Sequence, residues 1–227
     1  MKILVLGDGL LGRELVRQNG WGYLSRKKDG FNITNLESYD KLGIDKFDVI
    51  INCIACTKTY SDNREEHWAV NYESVVNLVD YCSSRNIKVV HISTDYIYSG
   101  SLECASEEDV PVHLPTWYGY TKLLGDAYAQ LNKRNLVIRT SHKPYPFPYG
   151  QAWSDQLTNG DYVNTISSLI ASLVLKNASG VYNVGTEIKS WYSLTKDEFN
   201  TTPSKIPENV PKNVTMSIKK FIDSTKR

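Results

Sequence analysis

Cysteine, net charge and long apolar runs are all scarce in this 227-residue sequence. Its four cysteines are too few to frame a disulfide-stapled fold of this size. A formal net charge of +1 argues against a nucleic-acid partner or an anionic membrane surface, since neither is recruited without a strong field. No apolar run approaches the ~20 residues that span a bilayer, and no early basic-then-apolar segment reads as a signal peptide. These absences lead to the expectation of a cytoplasmic protein. Internal repeats and low-complexity segments are missing too. Cys53 and Cys56 form a C-x-x-C, but a zinc site needs a second ligand pair at short spacing, and His67, His91, His113 and His142 are scattered singly. Cys53 closes an apolar strand pattern instead of opening a helix, so free thiols packed as small apolar groups are expected, with no metal.

What the chain does have is alternation. With 41% hydrophobic residues it is long enough for one well-buried domain and a small lobe. Strand patterns near 2–6, 21–24, 48–54, 87–93, 135–140 and 181–184 alternate with helix patterns near 10–19, 64–84, 116–132, 161–176 and 192–199. This predicts an α/β fold, a doubly wound parallel sheet of Rossmann type. In the longest helix, Trp68, Tyr72, Val75, Val76, Val79 and Cys82 stand at helical spacing and are expected in the core. The alternate prolines of Pro144 to Gly150 exclude regular structure there. They divide a dinucleotide-binding domain, 1–143, from a small substrate-side lobe and tail, 144–227, interleaved with the last sheet elements. The tail from Thr201 is polar and lysine-rich, with Val214 to Ile218 able to pack back.

Two motifs suggest chemistry. The first follows the branched apolar run Lys2 to Leu6: Gly7-Asp8-Gly9-Leu10-Leu11-Gly12 opens an amphipathic helix. Glycines there permit a tight turn and a close backbone approach to a phosphate, which the helix's free N–H groups and dipole favour. The second is Tyr118 and Lys122, four residues apart and therefore on one helix face. An ammonium beside a phenol favours the phenolate and can draw its pKa down from about 10. That makes Tyr118 a candidate proton donor to a carbonyl, with Lys122 tuning it and Thr94 bonding the same oxygen; a chance pair of surface neighbours is the alternative.

In family order, the glycine turn, Asn32-Ile33-Thr34-Asn35, Ile50 to Ala55, Glu65-Glu66 with Val70-Asn71, Ile92 to Tyr98, Tyr118 to Lys122 and Val137 to Ser141 resemble the extended short-chain dehydrogenase/reductases, most closely the dTDP-4-dehydrorhamnose reductase-like branch. The glycine turn is one residue shorter than the family's, and the chain is short for the family. The resemblance implies hydride transfer from a nicotinamide to a ketone on a nucleotide sugar, of the 4-keto-6-deoxy type, with a homodimer among the expectations. It implies Thr94, Tyr118 and Lys122 as catalytic residues. Gly7, Gly9, Leu10, Leu11, Gly12, Asn32, Ile33, Cys53, Ile54, Ala55 and Lys122 would bind the cofactor. An Asn at position 71 would help order the active site, although a solvated position reads equally well.

Thr94 is followed by Asp95 and Tyr96 where related 4,6-dehydratases carry an Asp-Glu pair, which points to a reductase. The second strand ends in Ser25-Arg26-Lys27-Lys28, with no carboxylate between Glu14 and Asp29. NADP(H) is therefore expected in preference to NAD(H), which is also accepted, with Arg26 and Ser25 on the 2′-phosphate. Trp117 and the aromatic stretch 145–153 read either as a wall over the sugar or base or as ordinary core. A non-catalytic dinucleotide binder, or a subunit needing a partner to complete its sugar pocket, are the other readings.

Overall fold

Along the chain run β1 (Ile3–Leu6), α1 (Leu10–Asn19), β2 (Gly22–Leu24), α2 (Arg26–Asp29), α3 (Glu37–Lys41), β3 (Val49–Asn52), α4 (Arg64–Trp68), α5 (Ser74–Ser84), β4 (Lys88–Ile92) and α6 (Trp117–Ala129). There follow β5 (Leu136–Arg139), β6 (His142–Lys143), β7 (Gln151–Trp153), β8 (Asp161–Tyr162), α7 (Val163–Leu175), β9 (Gly180–Asn183), α8 (Trp191–Phe199), β10 (Thr202–Ser204) and α9 (Lys219–Thr225). The computed structural model describes residues 1–101, 103–110 and 114–226, so His113 lies outside the described residues.

Six strands form one parallel sheet in the order β2-β1-β3-β4-β5-β9, the expected doubly wound arrangement. The order turns back between β1 and β3, and open sheets of this kind take ligands at that switch point, beyond the carboxyl ends of the strands. Successive strand residues face opposite sides. Ile3, Val5, Val49 and Ile51 therefore pack with Leu11 and Leu15 of α1 and Ile166 and Ile170 of α7. Leu4, Leu6 and Ile50 pack with Val75, Leu78 and Val79 of α5 on the other face.

The long helix departs from expectation in one respect. Trp68 is 38% exposed and meets Tyr72 edge-on at 4.8 Å, itself only half-buried, instead of entering the core. The cause is a π-helical turn over Ala69–Glu73 between α4 and α5. A π turn takes one more residue than an α turn. Counting back from Val75, it shifts the buried positions from 72 and 68 to Asn71 and His67, which are 1% and 0% exposed.

The segment after Lys143 is not separate from the sheet. Its strand β9 forms the sheet edge beside β5, and α7 covers α1. The remainder makes two small parallel pairs, β6 with β8 and β7 with β10, around an aromatic cluster of Phe147, Tyr162, Trp191 and Phe199. The polar tail also packs back. Met216 is 1% exposed and its N–H donates to Asn159 Oδ1 at 2.7 Å, while Phe221 of α9 joins the sheet core. The short helices α2, α3 and α9 and the strands β6, β7, β8 and β10 have no counterpart in the sequence pattern.

Candidate active site

The glycine turn is built by contact. Gly7 has φ +100°, a region that L side chains rarely enter, and its N–H donates to Leu24 O at 2.9 Å. A Cβ on Gly12 would lie 2.1 Å from Gly7 O, so α1 starts directly against the turn. Nothing stands within 4 Å of a Cβ on Gly9, and no side chain caps α1 there. The amides of its first turn are thus left for an anion. This open cradle fits the pyrophosphate of a dinucleotide.

A cleft of 630 Å³ runs from this turn along the carboxyl ends of the strands. It brings together Gly9, Leu10, Leu11, Gly12, Cys53, Ala55, Thr94, Tyr118 and Lys122 of the sequence-predicted residues. Gly7 lies under the turn, and Ile54 supports it, its Cγ1 being 2.9 Å from where a Gly7 Cβ would stand. The other residues lie outside the cleft lining. Ile33 is 3% exposed in the core, and Asn32 accepts from Thr34 through its side chain. Ser25 is 1% exposed and its oxygen caps α2 by accepting from Lys28 N at 3.1 Å. Arg26 is exposed at the tip of β2. A carboxylate does reach this tip, because Asp29 folds back to accept from Ser25 N at 3.0 Å. Lys28 is engaged by the Tyr23 ring at 4.1 Å.

Tyr118 and Lys122 share a face of α6, whose first turn is capped by Thr116 accepting from Gly119 N at 3.1 Å. The expected depression of the Tyr118 pKa does not occur. Burial pushes the phenol up to about 12, opposed by its contact with the Thr94 hydroxyl. The Lys122 ammonium is turned elsewhere, donating to Ile92 O at 2.6 Å, and burial lowers its own pKa to about 8. The Tyr118 phenol is therefore protonated at neutral pH. Beside it Asp95 is 1% exposed, and burial pushes its carboxyl up to about 7. Thr94 and Thr158 hydroxyls reach its two oxygens, each at 3.3 Å.

Two buried assemblies hold these groups. Asn71 accepts from Cys56 N at 2.8 Å and donates to Cys56 O at 3.1 Å and Thr121 Oγ1 at 3.3 Å. It ties the loop after β3 to α6, so the solvated reading of Asn71 does not hold. Gly125 permits the approach, since a Cβ there would meet Asn71 O at 2.4 Å. Arg139 of β5 grips Asp126 of α6 through two bonds, at 2.9 and 3.0 Å, and donates to Tyr98 Oη at 2.7 Å.

Sequence reasoning missed part of the far wall. Lys143, Gln156 and Trp191 also line the cleft, together with Trp153 from the aromatic stretch. Trp117 is not among the lining residues; it takes the Arg64 guanidinium at 5.0 Å. Cys53 and Cys56 are free thiols, half-buried and buried, as expected, with burial pushing Cys53 up to about 12, whereas Cys104 is exposed. No helix among the described residues is long and apolar enough to cross a membrane.

Residues 1–143 match a family model described as the RmlD substrate binding domain. The spore coat polysaccharide biosynthesis protein SpsK of Bacillus subtilis is 28% identical over 85% of this chain and 76% of its own length. A dTDP-4-dehydrorhamnose reductase from Aggregatibacter actinomycetemcomitans is 26% identical over 92% of this chain and 82% of its own. Among solved structures, the dTDP-4-dehydrorhamnose reductase of Bacillus anthracis, in complex with NADP, superposes with a TM-score of 0.82 at 22% identity, covering 99% of this chain and 92% of that one. With 143 residues matched from the first strand through β6, the chain belongs to the RmlD family of extended short-chain dehydrogenase/reductases.

Proposed function

We propose that this protein reduces a keto group on a nucleotide-activated sugar of the 4-keto-6-deoxy type, using NADPH in preference to NADH. The observation that carries this reading is the convergence of Thr94, Tyr118 and Lys122 on one cleft with the glycine turn. The family match and the reductase relatives support the substrate class. The nicotinamide, when bound, supplies the hydride. Amides from Gly9 to Gly12 hold its pyrophosphate over the Gly7 turn, and Lys122 orients its ribose. Arg26 takes the 2′-phosphate by a charge-assisted contact, with Ser25 beside it. Asn32, Ile33, Cys53, Ile54 and Ala55 are assigned to the same cofactor by the motif segments they occupy.

Tyr118 donates the proton that neutralises the alkoxide, and Thr94 donates a second hydrogen bond to the same oxygen. A phenol pushed up to about 12 remains protonated at neutral pH, so a donor role is the one it can fill. NADPH consumption with a dTDP-4-keto-6-deoxy sugar, followed by absorbance, tests the reading. Incubating dTDP-glucose with catalytic NAD⁺ should yield no 4-keto-6-deoxy product, because the second carboxylate of a dehydratase is missing after Asp95. Accumulation of that product ends the reductase assignment. The proposal extends to a cytoplasmic enzyme acting as a homodimer, which light scattering of the purified chain measures.

A further inference from the structure

Four lysines are withdrawn from full exposure: Lys88, Lys122, Lys143 and Lys189. Three of them have acceptors. Lys88 donates to Asn177 O at 3.0 Å, Lys122 to Ile92 O at 2.6 Å, and Lys189 pairs with Asp161 at 3.1 Å. The Lys143 ammonium makes no hydrogen bond or ion pair among the described residues, although its backbone pairs with β8. Its ammonium is held instead by two indoles, 4.7 Å from the Trp191 ring centroid and 5.3 Å from that of Trp153. Cation–π contact restrains a charge but uses none of its three N–H donors. Burial lowers the Lys143 pKa, a sign that the cation is short of solvation, and Asp95 opposes this only from a distance. A cation in this condition gains more from an arriving anion than a solvated surface lysine does.

Its position says which anion. Lys143 lines the catalytic cleft and also an adjoining cavity of 680 Å³ walled by Phe147, Tyr149, Gln151, Trp153 and Trp191. It is the one charged side chain in the lining of that second cavity, and Trp153 and Trp191 belong to both linings. Lys143, Trp153 and Trp191 therefore stand where the cleft that holds Tyr118 meets the aromatic cavity. A nucleotide sugar has the same sequence of parts: a neutral ring, a diphosphate and a flat base.

We infer that Lys143 holds the diphosphate of the substrate, with the base lodged against the aromatic walls of the second cavity. The inference rests on the reductase reading only for the sugar end, which it places at Thr94 and Tyr118. An ammonium serves a diphosphate as a point charge, and aromatic faces stack bases of any identity. Because the indoles already restrain the lysine, little rotamer freedom is lost on binding.

The test is calorimetric titration of the NADPH-saturated protein with two probes, dTDP and thymidine. In the wild type dTDP should bind at least roughly tenfold more tightly than thymidine, as expected of one charge-assisted contact, and the gap should narrow with salt. Lys143→Met should bring dTDP down to the thymidine level and leave thymidine and NADPH affinities as they were. Lys143→Arg should recover most of the difference. Tyr149→Ala, at a residue 59% exposed on the cavity wall, should weaken both probes alike. The inference is overturned if the Met variant binds dTDP as the wild type does, if it loses both probes equally, or if the wild type does not prefer dTDP. Lys143-dependent dTDP binding without ketosugar-dependent NADPH oxidation would sink the reductase reading and keep this one. Normal turnover with dTDP binding indifferent to Lys143 would do the reverse.

Discussion

The two walls of the cleft are made differently. On the sheet side, Thr94 follows the largely buried strand β4, and the Tyr118–Lys122 pair stands on a helix of thirteen residues. They are pinned by the Arg139–Asp126 pair and the Asn71 bridge. On the other side stand strands of two or three residues, an aromatic cluster, and side-chain-to-backbone bonds such as Gln156 Nε2 to Pro211 O at 2.8 Å. Chemistry needs atoms fixed to within a fraction of an ångström, which regular elements supply best. Recognition of a particular sugar or base is carried by loops on such a scaffold, where sequence can change without unmaking the sheet. On the proposed function, one wall serves the reaction and the other selection.

Substitutions can break that comparison, and the largest effect should fall on the reaction wall. Tyr118→Phe keeps the ring and removes the hydroxyl, so turnover should fall about 10²–10⁴-fold, the usual worth of a general acid, with NADPH affinity kept. Lys122→Met should lower both turnover and cofactor affinity; equal, small effects of the two would mean that this pair takes no part in the reaction. Next in size is Asp126→Ala, which strands the Arg139 guanidinium at 2% exposure. Breaking a buried pair costs about 3–5 kcal/mol, and the melting temperature should fall by roughly 6–20 °C in a chain of this length. Arg26→Ala should shrink the NADPH-over-NADH preference by about tenfold at low salt, measured as a ratio of Kd values. A Kd for NADH at or below that for NADPH in the wild type would remove the basis for this prediction. The smallest effect should be on the selection wall. Tyr149→Ala is expected to change stability by no more than ~0.5 kcal/mol, so a large loss there in urea unfolding would show that the two walls are not independent.

The same contrast explains what could be read from sequence. The strands were legible because apolar runs such as Val49 to Asn52 are buried throughout. The Tyr118–Lys122 face was legible because helical spacing is periodic. The π turn was not, since the residues from Ala69 to Glu73 carry no compositional mark of a wider turn. Trp68 and Tyr72 were accordingly placed one position out of phase. The Tyr118 pKa was misjudged because spacing fixes which residues are neighbours and not where an ammonium points; here Ile92 O claims it. Lys143 is a single lysine in an irregular stretch, and only the two indoles, from 153 and 191, give it meaning. Contacts so distant in sequence leave no local pattern.

The hydrogen bond from Lys122 to the last carbonyl of β4 has a kinetic consequence. With the phenol pushed up to about 12 and the lysine down to about 8, the first of the two to change charge as the medium turns alkaline is the lysine. Between the two values Tyr118 keeps its proton, while Lys122 loses one on passing pH 8. A high-pH limb in the rate profile near that point would therefore report the loss of charge at the strand end, and of the ribose contact proposed for Lys122, instead of a tyrosine losing its proton. The inflection familiar as a sign of the proton donor would belong to its neighbour one helical turn away.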